Sequence, residues 1–209
     1  HGVTSSGKTE IYSKLIQETM KTGKQILFLL PEIALTTQLV SRLRKFFGNK
    51  VAVFHSKYSN NERVEVWNQV LQNSPKAQVV IGARSAMFLP FSDLGLVIVD
   101  EEHEQNFKQT DPAPRYHARD AVTVLAKFHQ AKVLLGSATP SLETYYNTQS
   151  QKYALVELFE RFNNTPLPEV VLVDLKDKYF RKQMNGHFSD SLIEEITTAL
   201  SLGEQVILF

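Results

Sequence analysis

The sequence predicts an α/β fold, with a mostly parallel sheet and helices on its flanks, from three observations. Short β-branched or aliphatic runs alternate with longer stretches of helical period, the pattern that parallel strands joined by helical crossovers produce. Two of the helical stretches stop at a glycine, Gly23 and Gly48, where a helix C-cap is expected. A glycine- and serine-rich turn, residues 2–7, opens directly into the first of them.

The elements follow in chain order. Ile11, Leu15, Ile16, Thr19 and Met20 recur at helical spacing after Lys8 and stop at Gly23, and Ile26–Leu30 then reads as a strand. Leu35, Leu39, Leu43 and Phe46-Phe47 form the second helical series, closed by Gly48. Further strands are predicted at Val51–Phe54, Val79–Ile81, Leu96–Val99 and Val133–Leu135. Asn163-Asn164, Pro166 and Pro168 make Arg161–Glu169 an extended connector. Beyond it come a strand (Val170–Val173), a helix (Ser191–Leu202) and a strand that runs into Phe209. The expected division is 1–160 for one nearly complete domain, 161–169 for the linker, and 170–209 for the β-α-β start of a second. The strand that feeds a phosphate loop from its N-terminal side has no counterpart before Gly2, so both ends are expected to fall inside structure.

With 43% hydrophobic and 22% charged residues in 209, the composition is globular and excludes a disordered tail, a collagen-like fibre and a disulfide scaffold. The net charge of +1 means that any nucleic-acid partner must be held by a local basic strip. No cysteine is present, which excludes disulfides and cysteine-based zinc sites in this stretch and fits a cytoplasmic setting. No apolar run approaches the ~20 residues of a membrane span, and there is no signal peptide.

Gly2-Val3-Thr4-Ser5-Ser6-Gly7-Lys8-Thr9 matches G-x-x-x-x-G-K-[ST]. Small residues let backbone N–H groups curl around phosphate oxygens, the lysine reaches the β/γ-phosphates of ATP, the Thr9 hydroxyl binds Mg²⁺, and the following helix adds its positive end. Leu96-Val97-Ile98-Val99 runs straight into Asp100-Glu101-Glu102-His103. A strand that delivers carboxylates at its C-terminal end places them in the crevice where open α/β sheets bind ligands. There Asp100 would hold Mg²⁺ and Glu101 would orient and deprotonate the attacking water. Gly136-Ser137-Ala138-Thr139-Pro140 closes another apolar run. Its hydroxyls can bond the acidic motif and report the γ-phosphate, which suits a coupling role, and Thr139 before Pro140 also reads as a helix N-cap.

In order, GVTSSGKTEIY, LLPEIALT (Leu29–Thr36), FHS (Phe54–Ser56), IGARSAMFLPF (Ile81–Phe91), DEEH, FKQTDPAPRYHARDAV (Phe107–Val122) and GSATPSLET (Gly136–Thr144) resemble superfamily 2 helicases, and more narrowly the bacterial replication-restart helicases of the primosomal protein N′ family. The resemblance covers the whole chain. It implies a RecA-like motor domain that uses ATP and Mg²⁺ to translocate 3′→5′ on single-stranded or forked DNA during primosome assembly. It also implies partners among the replication-restart proteins, including single-strand binding protein. Carried over by motif, Gly7, Lys8 and Thr9 are nucleotide and Mg²⁺ contacts, Asp100 and Glu101 the metal and water positions, His103 a sensor, and Ser137 and Thr139 the coupling motif. Zinc belongs to a C-terminal region of that family outside this sequence. Ser5 stands where the family usually has glycine.

Arg84 and Ser85 follow a predicted strand, where they can grip a DNA phosphate or simply complete a turn. Phe107, Lys108, Arg115, Tyr116, His117 and Arg119 interleave rings and cations, the composition that stacks bases along a phosphate strand; the alternative is that Tyr116, His117 and Arg119 anchor the next helix. No histidine spacing marks a further metal site. Two other readings are a nucleotide-regulated interaction module without useful turnover and a different superfamily 2 translocase. Glu101 argues against the first, because a pure switch needs no water-activating carboxylate, and the Phe107–Val122 segment argues against the second.

Overall fold

A computed structural model describes residues 1–32, 37–56, 58–164, 166 and 168–208. Leu35, which opens the second helical series, and Phe209, at the end of the last expected strand, lie outside them. The strands are Gln25–Leu29 (β1), Val51–Phe54 (β2), Val79–Gly82 (β3), Leu94–Asp100 (β4), the two-residue pair Lys108–Gln109 (β5) and Tyr116–His117 (β6), and Lys132–Gly136 (β7). Five of them form one sheet in the order β2-β3-β1-β4-β7, every neighbouring pair parallel. The helices of this part are Lys8–Lys21 (α1), Thr37–Phe47 (α2), Asn60–Leu71 (α3), Ala118–His129 (α4) and Leu142–Gln149 (α5), of which α2, α3 and α4 connect strands of the sheet.

Side chains alternate across a strand, so each central strand feeds two cores. Leu27 and Leu29 join Val97 and Val99, Val66 and Val70 of α3, and Val122 and Ala126 of α4. Ile26 and Phe28 join Leu96, Ile98, Tyr12 and Ile16 of α1, and Leu43 of α2. A sheet covered on both faces reads as continuous apolar runs, which is why these strands stand out in the sequence. Burying each such side chain contributes about 1.5–3 kcal/mol. Both expected glycine stops adopt left-handed backbone, Gly23 at φ 79° and Gly48 at φ 63°. The C-terminal ends of β1, β3, β4 and β7 share one rim, which carries Asp100 at the end of β4 beside Gly136 at the end of β7.

The chain divides into His1–Thr165, which holds all of this, and Pro166–Phe209. Within the second unit are Leu175–Phe180 (α6), a hairpin of Met184–Asn185 (β8) and Phe188–Ser189 (β9) turning on Gly186 at φ 61°, and Asp190–Ser201 (α7), capped by Ser189. The expected helix is therefore present, one residue early at each end. The strand expected at Val170–Val173 is not formed, and residues 206–208 are not a strand either. Strand propensity needs a ladder partner, and β8–β9 is the ladder found among the described residues of this unit. No helix of the described residues is long and apolar enough to cross a membrane.

Candidate nucleotide site

The loop before α1 is shaped by two left-handed residues, Ser5 at φ 64° and Gly7 at φ 87°. A side chain in that conformation costs about 1–2 kcal/mol, the physical reason for glycine at the Ser5 position in the resembling family. α1 begins with no side-chain cap, which leaves its first N–H groups for a ligand. Lys8 Nζ donates to the Gly2 carbonyl at 3.0 Å and lies 3.7 Å from Glu101 Oε1. Ser6 Oγ is buried with no hydrogen-bond partner among the described residues. An uncapped helix start, a lysine folded back on its own loop and an orphaned hydroxyl are what a phosphate group would satisfy.

β4 carries Asp100 to the rim beside Gly136 of β7. Tyr12, one helical turn after Lys8 and on the same face of α1, donates its hydroxyl to Asp100 Oδ1 at 2.9 Å. A Cβ on Gly136 would run into that hydroxyl, so the glycine makes room for the pair. Burial pushes the Asp100 carboxyl above its ordinary range, while the Tyr12 hydroxyl, the Glu101 N–H and the Lys8 charge act against it. Burial and then Asp100 itself drive the Tyr12 hydroxyl well above its usual range, so it stays a donor. A carboxylate this reluctant to ionise alone fits a divalent cation, and Asp100 with Thr9 is the donor set that would hold Mg²⁺.

Glu101 follows in left-handed backbone at φ 49°, between Lys8 and His103, whose Nδ1 lies 3.6 Å from Glu101 Oε2. His103 Nδ1 is also 2.7 Å from Ser137 Oγ, and Ser137 Oγ accepts from the Thr139 N–H at 2.9 Å. Thr139 Oγ1 lies 3.5 Å from His103 Nε2. The loop, the acidic motif and the Ser137–Thr139 segment thus meet. Thr139 is not the helix cap expected of it: α5 is capped by Ser141, which accepts from the Thr144 N–H.

Glu102 turns the other way and is 1% exposed. It accepts from Arg119 Nη1 at 3.0 Å, the Ser141 N–H at 2.8 Å and Thr144 Oγ1 at 2.9 Å, while its own N–H donates to the Gly136 carbonyl at 3.1 Å. A buried carboxylate needs such partners. Burial opposes the Arg119 charge, but its bonds to Asp120 and Glu102 outweigh that and hold its pKa above the usual value. Of the two readings open for Arg119, DNA contact and helix anchor, its place here is the anchor: at 7% exposure it ties α4 to the acidic turn. The assignment of Phe107 to DNA is corrected, because its ring is 1% exposed and packed in the α4-side core.

The remaining members of the proposed DNA face keep some solvent access. Lys108 and Arg115 are exposed, and the Tyr116 ring meets Phe88 edge-on at 5.1 Å. Arg84 Nη1 donates to the Lys108 carbonyl at 3.1 Å, tying the Arg84–Phe88 turn to the β5–β6 pair. Ser85 lines a shallow cleft with Arg63, Trp67 and Phe88. Sequence reasoning missed Tyr12, Glu102, Ser141 and Thr144. Only Tyr12 had a signal, its spacing of four from Lys8.

The DEAD/DEAH box helicase family matches residues 1–148. Over 209 residues the chain is 44% identical to replication restart protein PriA of Bacillus subtilis, covering 100% of this chain and 26% of that protein. Against PriA of Rickettsia felis it is 45% identical over 208 residues, covering 100% and 31%. The chain thus spans about a quarter to a third of the length of these curated relatives. Among solved structures, RecG bound to a three-way DNA junction matches with a TM-score of 0.54 at 23% identity, over 76% of this chain and 20% of that one. The Pyrococcus furiosus Hef helicase domain matches with a TM-score of 0.50 at 19% identity, over 77% and 34%. Both share the RecA-like helicase fold. With residues 1–148 of 209 matched and Lys8 of the loop brought to Glu101 of the acidic motif, the chain belongs to the DEAD/DEAH box helicase family.

Proposed function

We propose that this chain is the ATP-binding motor half of a replication-restart DNA helicase or translocase. It acts 3′→5′ on forked or single-stranded DNA in the cytoplasm, beside single-strand binding protein and other restart factors. Identity above 40% to PriA along the whole chain supports the restart assignment. The convergence of Lys8, Asp100 and Glu101 carries the ATPase reading, with Lys8 and Glu101 3.7 Å apart across the strand end that bears Asp100.

The loop N–H groups and Lys8 bind the phosphates of ATP, Lys8 leaving the Gly2 carbonyl for the substrate. Mg²⁺, when bound, neutralises phosphate charge and orients the terminal group. Asp100 and Thr9 hold it, with Tyr12 fixing the carboxylate. Glu101 accepts the proton of the attacking water at Oε1 or Oε2 and is positioned by Lys8 and His103. His103, Ser137 and Thr139 then move as one bonded unit with Glu101, passing the state of the terminal phosphate to the DNA side.

Lys8→Ala in the full-length protein should abolish ATP turnover and leave DNA affinity within about twofold, because Lys8 faces phosphate and not DNA. Equal turnover in mutant and parent would refute the phosphate-loop assignment. Loss of both activities with a lowered melting temperature would refute the separation of the two surfaces.

A further inference from the structure

Residues 157–162 lie as a strap along the phosphate loop. The Val3 N–H donates to the Leu158 carbonyl at 3.0 Å, the Leu158 N–H to the His1 carbonyl at 2.9 Å, and the Phe162 N–H to the Ser5 carbonyl at 2.9 Å. Gly2 and Leu158 also form a parallel bridge. These bonds hold the strap to the loop at both ends of Val3–Ser5, and an open cleft of about 540 Å³ is lined by Ser6 and Gly7 of the loop together with Arg161 and its neighbours of the strap. That volume lies within the range of small-molecule sites.

Arg161 sits in this cleft without a use for its charge. Its Nε is buried, and no hydrogen bond or ion pair to its guanidinium is found among the described residues. Three other arginines of this unit are engaged, Arg42 with Glu10, Arg84 with the Lys108 carbonyl, and Arg119 with Glu102 and Asp120, while Arg44 and Arg115, without a partner among the described residues, are exposed to solvent and have no buried donor. The residue as a whole is half-buried, but its Nε–H is a desolvated donor without the acceptor its burial calls for. Glu157 and Glu160 line the same cleft but form no ion pair with it. An acceptor from outside the chain resolves the deficit. Gly7, which lines the same cleft, precedes the uncapped start of α1, which also attracts an anion.

Resting on the proposed ATPase reading, we propose that Arg161 is a nucleotide ligand: it donates to the α- or β-phosphate of the bound adenine nucleotide from the strap, and the strap closes the site. Lys8 and Glu101 mark where the terminal phosphate goes, so the strap side serves the phosphates nearer the sugar. Arg161 therefore contributes equally to ATP and ADP affinity and little to the chemical step. Its planar fork suits this contact better than an ammonium would.

The test is calorimetric titration of full-length parent, Arg161→Ala and Arg161→Lys with ADP and with a non-hydrolysable ATP analogue, alongside melting curves. A lost charge-assisted bond weakens binding roughly 10- to 100-fold. Arg161→Ala should weaken both nucleotides by about that factor, Arg161→Lys by less, with melting temperatures of the free proteins within about 2 °C of the parent. In steady state the KM for ATP should rise while kcat stays within about threefold. Three results overturn the inference: unchanged affinity in Arg161→Ala, a loss confined to the ATP analogue, or a loss matched by unfolding in both variants. A parent that binds neither nucleotide would overturn the ATPase reading itself, whereas a binding parent with an unaffected Arg161→Ala overturns this inference alone.

Discussion

Tyr12→Phe removes one oxygen and leaves the ring where it is, edge-on to Phe28 at 5.7 Å. The hydroxyl donates to Asp100 Oδ1 at 2.9 Å from a side chain only 3% exposed. A hydrogen bond to an ionised group is worth about 1.5–3 kcal/mol, and because Asp100 keeps some solvent access the expected loss is about 1–2 kcal/mol. For a unit of this size that lowers the melting temperature by roughly 3–6 °C at pH 7. The sign with pH follows from Asp100. Its carboxyl titrates above the ordinary range because of burial, so its contribution to stability is fully present in acid and is lost as pH rises through that raised pKa. The Tyr12 bond favours the ionised form and limits this loss. Removing it deepens the loss at neutral pH and matters less as pH falls and the carboxyl takes up its proton. Melting curves of parent, Tyr12→Phe, Asp100→Asn and the double variant at pH 4.5 and pH 7 give the coupling directly. Additive effects at pH 7, or a Tyr12→Phe deficit that grows in acid, would refute this account of the pair.

Two further substitutions separate structural from functional roles. Phe107→Ala should destabilise the protein by about 3–5 kcal/mol, as emptying a filled core position does, while DNA-stimulated and basal ATPase fall together with the folded fraction; an unchanged melting curve with selective loss of DNA stimulation would return Phe107 to the DNA face. Ser5→Gly should stabilise by about 0.5–1 kcal/mol in denaturant, since relief of left-handed strain exceeds the extra freedom glycine gains when unfolded; a destabilised variant would mean that the Ser5 side chain makes a contact worth more than its strain.

The sheet was legible because its strands are buried on both faces: Val79–Ile81 became Val79–Gly82 and Leu96–Val99 became Leu94–Asp100, with only the ends extended. The loop and acidic motif were legible because their chemistry fixes residue types at fixed spacing. Phe107 was misread, and Arg119 left between two readings, for one reason. Local composition shows that a ring stands beside cations, and it does not show which way the backbone turns them; here β6 leads straight into α4 and carries Arg119 inward to Glu102. Glu101 and Glu102 are equivalent in the sequence, yet the left-handed turn at Glu101 sends one toward Lys8 and the other into the core. Val170–Val173 shows the converse limit, since four residues of high strand propensity form no strand without a neighbour to pair with.

Glu101→Gln tests the site most directly. The amide keeps the shape of the side chain and cannot accept the proton of water, so the full-length variant should bind ATP within about twofold of the parent while single-turnover hydrolysis on forked DNA falls about 10²- to 10⁴-fold. Hydrolysis at the parental rate would contradict the assignment of Glu101 as the base and, with it, the reading of this strand-end cluster as an ATP-hydrolysing centre.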